Sequence, residues 1–318
     1  MRRAKIFRFA GPMLLTLLLG LAFLGADLEM LDSFNIAAPV WLPICALYLG
    51  GKIWAAARAR RWANLIAPAA LSLGYAALAL LLFRPLWDGA SAPARRGEPF
   101  RVISFNLYKD NPEAHAAARW IAGQAPDFVI LVEASKRAAK VADLLEADYP
   151  HRYDCQGNGD CSTMILSRTP ALSVEHHARG DTENRRALSA MTVRFRRGGR
   201  ALDITAVHLK RPWPFARQSF DFAQLSALVG RRDGHHIVAG DFNNVPWTFA
   251  MNRMAYDLDV RLASGGMRSW PSPNGPVLPL DNIYVGSCVA SPEVERGPSL
   301  GSDHYPLVMD ARLVDCDD

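Results

Sequence analysis

Eight polar side chains stand where apolar, strand-like runs break off. Asn106 follows VISF, Glu133 follows VILV, and His208 follows ITAV. Asp241 and Asn243 follow IVAG, Asp281 precedes NIYV, and Asp303–His304 precede YPLVM. Singly these are ordinary: an Asn after a strand is usually a turn residue, and a lone Glu or His at a strand end is usually a solvated or hydrogen-bonded rim residue. As a set they could do chemistry. Asn106, Glu133 and Asp303 are hard oxygen donors of the kind that hold Mg²⁺, with Mn²⁺ as an alternative, while leaving several waters in place. Asp241 and Asn243, two apart on an extended segment, would face the same way. An ionised Asp only accepts hydrogen bonds whereas an Asn amide also donates, so the pair suits a water on the acid and a phosphoryl oxygen on the amide. His304 beside Asp281 would be oriented and kept protonated, a cationic donor to charge growing on a phosphate oxygen. His208 adds a second imidazole.

Positioning such a set requires strands that end at one rim. After residue 99 the pattern alternates. FRVISFNLY and DFVILVEAS read as buried strands, each followed by a helical stretch, PEAHAAARWIAGQ and KRAAKVADLLEAD. STMILSR reads as a strand. LSAMTVRF and ALDITAVHL read as a hairpin around Gly198–Gly199. ARQSFDFAQLSALVGRR reads as a helix and HHIVAGDF as a strand; LDNIYVG and HYPLVMDARL close the chain. Helices mixed with antiparallel hairpins indicate an α/β (α+β) domain with sheet packed on sheet, not a doubly wound parallel sheet.

The first third differs in kind. No charged residue occurs from Phe9 to Ala26, from Ser33 to Gly51, or from Trp62 to Phe83. Each run is close to the ~20 residues that cross a bilayer as a helix. The first alone could be a cleaved signal peptide, but two further runs follow at once, so three transmembrane helices are expected. Arg2, Arg3, Lys5 and Arg8 precede the first run; Lys52, Arg58, Arg60 and Arg61 lie between the second and third. Basic loops stay cytoplasmic, which places everything after the third run outside. The expected organisation is a membrane anchor over residues 1–87, a linker over 88–98 and a catalytic domain over 99–318.

Charge follows the same division. The chain carries 36 Lys+Arg and 31 Asp+Glu. Residues 1–98 hold 11 Lys+Arg and 5 Asp+Glu, leaving 25 and 26 for residues 99–318. The basic excess belongs to the anchor, so the domain lacks the overall field of a sequence-independent DNA binder. Cys155 and Cys161 bracket the turn-rich QGNGD, and an exported domain permits a disulfide there. Trp213 in KRPWPF and Trp247 are candidates either for an aromatic rim facing bases or lipid, or for packing.

The motifs SFNLY, LVEAS, AVHLKRPW, AGDFNNVPW, LDNIYV and GSDHYPL together resemble the endonuclease/exonuclease/phosphatase superfamily, over about residues 99–313. The resemblance implies a four-layer sandwich, two packed β-sheets with helices outside. It implies Asn106 and Glu133 at a metal site with Asp303 as a further carboxylate near the metal. Asp241 would orient or deprotonate water, and Asn243 would contact phosphate. His304 would be the catalytic histidine with Asp281 its partner, and His208 would assist at the phosphate or leaving group. The anchor resembles that of a bacterial membrane-bound subgroup. Two positions depart from the pattern. Asn282 stands where many members have His or Tyr. The segment before LSA carries Arg185 and Arg186, where deoxyribonuclease-like members carry a Glu. An arginine there would suit a phosphate.

The expected protein is therefore a multi-pass enzyme of the bacterial inner membrane, with an extracytoplasmic, Mg²⁺-dependent phosphodiesterase or phosphatase domain. Its partners would be a phosphate ester, either nucleic acid or phospholipid headgroup, and the bilayer; no protein partner is evident. The alternative is a non-catalytic binding module that retains the fold.

Overall fold

A computed structural model describes residues 2–88, 97–155, 163–177, 188–213, 217–272 and 275–316. The chain divides into two compact units: residues 1–84 with 247–250, and residues 85–246 with 251–318.

The first unit contains α1 (Arg2–Leu24), α2 (Glu29–Asn35), α3 (Ala38–Arg58) and the start of α4 (Ile66–Asp88). Ala38–Arg58 and Trp62–Trp87 are each long and apolar enough to cross a membrane. A third span requires Gly11–Leu24 and Glu29–Asn35, bent by 119° at their junction, to act as one. The second apolar run is thus cut: Ser33–Asn35 belong to α2, and α3 begins at Ala38. Pro39 stands in the first turn of α3, where its missing N–H costs nothing. Leu47, Ile66 and Leu73 project outward, each more than half exposed. Hydroxyls find partners within the unit: Tyr75 Oη donates to Leu15 O at 2.7 Å and Ser72 Oγ to Pro68 O at 2.8 Å. Residues 247–250 join this unit through Trp247 Nε1, which donates to Asn35 O at 3.1 Å. They also join through the Asp32 carboxylate, which accepts the N–H groups of Phe249 and Ala250.

The second unit holds two six-stranded sheets. The first comprises β1 (Glu98–Asn106), β2 (Phe128–Val132), β3 (His151–Asp154), β4 (Met164–Ser167), β11 (Val289–Arg296) and β12 (Leu307–Leu313), in the order β11-β12-β1-β2-β4-β3. The other comprises β5 (Ser173–His176), β6 (Ser189–Arg197), β7 (Arg200–His208), β8 (His236–Asp241), β9 (Arg261–Leu262) and β10 (Asp281–Val285), in the order β5-β6-β7-β8-β10-β9. Each sheet has one parallel pair, β1–β2 and β7–β8, flanked by antiparallel strands.

Alternation along the strands builds the core. Phe100, Val102, Phe128 and Ile130 of one sheet face Phe195, Ile204, Ala206, Ile237, Ala239 and Ile283 of the other. Phe128 and Phe195 meet across the gap at 4.6 Å between centroids. The odd-numbered residues of β1 and β2 point the other way and pack on α5 (Ala114–Gln124) and α6 (Ala139–Leu144). α5 buries Ala114, Ala117, Ala118 and Ile121, one face at helical spacing, and ends at Ala125 in the left-handed region. α7 (Arg217–Val229) buries Phe222, Leu225 and Val229, and α8 (Phe249–Leu258) buries Met251, Met254 and Leu258. The expected sandwich of two sheets with outer helices is the fold observed.

Several expectations fall on residues outside those described. They are most of the linker (89–96), Cys161, and Arg185–Arg186. Cys155 is disulfide-bonded. A second disulfide, Cys288–Cys316, ties the turn after β10 to the tail after β12.

Candidate active site

Topology sends every candidate residue to one rim. The parallel strands β1, β2, β7 and β8 end on the same side, and the antiparallel β10 and β12 begin there. Register finishes the job in the second sheet: His208 pairs with Asp241, and Asp241 with Asp281, so three functional groups stand side by side. All three share the parity of the inter-sheet core residues of their strands and so face inward between the sheets. In the first sheet Asn106 pairs with Val132, and Glu133 follows at once.

Close approach of β7 and β8 needs Gly240. Its φ is +143°, and a Cβ there would overlap Val207 O. β8 stops at Asp241, two residues short of the extended run through Asn243 that the sequence suggests. Asn243 instead has φ +48°. Tyr108, Glu133 and Lys136 are also left-handed, at φ 57°, 54° and 51°. Four of the described non-glycine residues with positive φ thus lie in the loops after β1, β2 and β8, where strain marks a functional rim.

Asp241 is the hub. Its Oδ1 accepts Asn243 N–H at 2.7 Å. Its Oδ2 accepts Asn106 Nδ2 at 2.9 Å and Asn243 Nδ2 at 3.3 Å. His208 Nε2 and His304 Nε2 each stand 3.9 Å from the same oxygen. Burial pushes the Asp241 carboxyl above its usual range; His304 opposes this, Asp281 adds to it, and His208 and the Asn243 N–H oppose it.

His304 Nδ1 donates to Asp281 Oδ2 at 2.6 Å, with both groups buried. Burial alone would lower the imidazole pKa, but Asp281, then Asp241 and Asp303, raise it to about 10. Asp281 Oδ1 is buried with no hydrogen-bond partner among the described residues. Asp241, Asp281 and His304 bring ligand-type atoms within 4.8 Å of one another. This trio is nevertheless the poorer cation cage, because His304 Nδ1 and Asp281 Oδ2 are committed to each other at 2.6 Å.

Glu133 fits a cation better. Oε2 accepts Lys109 N–H at 3.2 Å, while Oε1 has no hydrogen bond among the described residues and faces His208 Nε2 at 3.9 Å. Asn106 Oδ1 accepts Tyr108 N–H at 3.0 Å, which leaves that oxygen a further lone pair. Asn106 and Glu133 thus offer hard oxygens at adjoining strand ends, a donor set suited to Mg²⁺ or Mn²⁺. Asp303 is half-buried, and among the described residues its carboxylate makes no hydrogen bond; its charge is felt at His304. The Asn243 amide is turned into the protein, donating to Leu209 O at 2.8 Å as well as to Asp241.

Two serines escaped sequence reasoning. Ser302 Oγ donates to Asn106 O at 2.7 Å and accepts His304 N–H at 3.0 Å, tying the end of β1 to the loop before β12. Ser269 Oγ accepts Asp281 N–H at 3.1 Å. Position in GSDH was a signal for the first; nothing in the sequence pointed to the second. Of the two tryptophans, Trp213 is 63% exposed and Trp247 only 7%, so Trp247 packs inside rather than forming a rim.

Solved structures share this fold. The sandwich resembles an endonuclease/exonuclease/phosphatase from Beutenbergia cavernae (TM-score 0.54, 21% identity, 69% of this chain and 72% of that one). It also resembles TDP2 from Caenorhabditis elegans (TM-score 0.53, 16% identity, 85% and 92%). A functionally unknown conserved protein from Enterococcus faecalis aligns with TM-score 0.55 at 12% identity, over 67% and 100%. At these identities the likeness is one of fold. No curated protein matches the sequence closely enough to count. Residues 103–304, most of the chain, match the Endonuclease/Exonuclease/phosphatase family. The chain therefore belongs to the endonuclease/exonuclease/phosphatase family.

Proposed function

We propose that this chain is a membrane-anchored, divalent-metal-dependent hydrolase that cleaves a phosphate ester outside the cytoplasm. The observation that carries this reading is the buried Asp281–His304 pair aimed at Asp241, with Asn106 and Glu133 beside it. A non-catalytic binding module that kept only the fold would be expected to have lost at least one of these acids or imidazoles, and each of them is present.

Asn106 and Glu133 would hold the metal, with Asp303 a further carboxylate near it. The bound cation would supply charge neutralisation for the phosphoryl group. Asp241 accepts a hydrogen bond from the attacking water and takes up or directs its proton. His304, held cationic by Asp281, donates through Nε2 to a phosphoryl oxygen as charge grows there. Asn243 contributes its longer bond, that to Asp241, in exchange for one to the substrate. His208 lies between Glu133 and Asp241 and serves the phosphate or the leaving group.

Location outside the cytoplasm draws support from the basic loop at Arg58, Arg60 and Arg61. It draws further support from the Cys288–Cys316 disulfide, since disulfides persist in oxidising compartments. Tethering and the near-neutral domain favour a phospholipid headgroup over nucleic acid. The test is hydrolysis by the full-length chain in detergent of DNA, RNA, phospholipid vesicles and p-nitrophenyl phosphate. Each is assayed with Mg²⁺ and with chelator. Turnover that needs the metal and is lost in Asp241→Asn supports the reading; no metal-dependent turnover on any of the four defeats it.

A further inference from the structure

Gln218 lies on α7, outside every motif that pointed to the site, and is 6% exposed. Its amide nitrogen donates to Lys210 O at 2.6 Å, Phe242 O at 3.0 Å and, more weakly, Asn243 O at 3.3 Å. Its Oε1 accepts Asn244 Nδ2 at 2.9 Å. One side chain thus holds the loop after His208 and the loop after Asp241. One turn further along α7, buried Asp221 accepts Lys210 N–H at 2.8 Å and Lys210 Nζ at 3.2 Å. The loops also bond each other: Leu209 N–H donates to Asp241 O at 2.9 Å, and Asn243 Nδ2 to Leu209 O. Asn243 sits in the left-handed region at the centre of this arrangement.

We infer that Gln218 is a positioning residue for the phosphoryl-transfer step: it fixes Asn243 and the Asp241 end of β8 against His208. This rests on the hydrolase reading above. The chemistry restricts the position to an amide of this length. Its two N–H groups serve the two nearer carbonyls, with Asn243 O at 3.3 Å sharing one of them, and its carbonyl oxygen takes the Asn244 amide. A carboxylate would face three carbonyl oxygens with nothing to donate, and a thioether would leave them unsatisfied. Asp221 acts on the same loop from the same helix, so α7 serves as the site's backing plate.

The test uses the full-length chain in detergent with Mg²⁺ and bis(p-nitrophenyl) phosphate, comparing wild type with Gln218→Met, Gln218→Glu and Asn244→Ala. Misplacing reacting groups by about 1 Å costs on the order of a hundredfold. Gln218→Met should therefore lower kcat by about ten- to a hundredfold with KM within about twofold, and Gln218→Glu should be worse. Hydrogen exchange should quicken in peptides covering residues 209–211 and 242–245 and stay unchanged in β1 and β2. A merely structural role would lower the folded fraction while leaving kcat per folded molecule intact, and that result overturns the inference. So does wild-type kcat with wild-type exchange in Gln218→Met. Should the Gln218 variants fail to fold, Asn244→Ala decides: a smaller kcat loss with faster loop exchange supports the clamp, and wild-type values for both sink it. If the wild type shows no Mg²⁺-dependent turnover on bis(p-nitrophenyl) phosphate or on any of the four substrates named above, the hydrolase reading fails, and the exchange data alone decide whether Gln218 fixes the two loops; turnover of only one of those four moves the kinetic comparison to that substrate.

Discussion

Asp241 is where five groups converge on two oxygens, and its neighbours set what each can do. Glu133→Gln keeps shape and removes charge from the proposed metal site. Mg²⁺-stimulated turnover should fall by orders of magnitude while basal folding persists; isothermal titration with Mg²⁺ and turnover assays check both. Asp241→Asn and His304→Ala remove two parts of one proposed step, so each should cut turnover about a hundredfold or more. The double variant should be little worse than the weaker single one; single-turnover assays that return multiplicative losses would separate the two residues. Asp281, with Asp241 and Asp303, raises the His304 pKa to about 10 against the cost of burial. Asp281→Asn should then lower that pKa and draw the alkaline limb of the pH–rate profile toward neutrality. A limb that stays in place would detach Asp281 from His304. The same coupling has a stability sign. A raised histidine pKa contributes stability that is present below about 6.5 and lost as pH climbs toward 10.

At the scale of elements, the outer face of the second sheet carries a buried polar chain that no functional role claims. His177 Nε2, Thr192 Oγ1, Thr205 Oγ1 and His236 Nε2 are joined by three contacts of 2.8 Å across β6, β7 and β8. Burial, with Arg232 adding to it and Glu175 opposing, brings His177 down to about 4 and His236 to about 3. The sign is opposite to that of His304. The unfolded chain binds these protons first, so stability is full above pH 6.5 and falls as pH drops toward 4, by up to about 1.4 kcal/mol per unit for each histidine. Thermal melts of the wild type should show a falling midpoint between pH 6.5 and 5, and His236→Gln should flatten that dependence. An unchanged slope would show that His236 is not the group responsible. Elements also show what could be read in advance. β1, β2, β7 and β8 were legible because buried strands are apolar, flanked by breakers and rich in β-branched residues. β3, β5 and β9 are short edge strands with no hydrophobic run, and β11 hides behind Pro292. An edge strand tolerates that proline at the irregularity between Ala290 and Glu293.

At the scale of the whole molecule, the proposed topology makes a two-sided prediction. A phosphatase reporter fused after residue 95 should be active outside the cytoplasm, and one fused at Arg58 should be silent there. The reverse pattern would invert the orientation and leave the disulfide on the reducing side. The apolar N-terminal third, the alternation of strands and helices, and the set of side chains at strand ends are all legible in the amino-acid string. Composition and periodicity are local, and each survives in a linear string. Folding in three dimensions sets His208, Asp241 and Asp281 adjacent in register, buries His304 against Asp281, and turns the Asn243 amide inward. It alone showed that Ser269, Ser302 and Gln218 hold the others in place, and that Cys288 and Cys316 are joined. These facts depend on strand pairing and loop closure between residues far apart in the chain. A shift of one residue in any register would turn each side chain to the opposite face, and no local pattern records that choice.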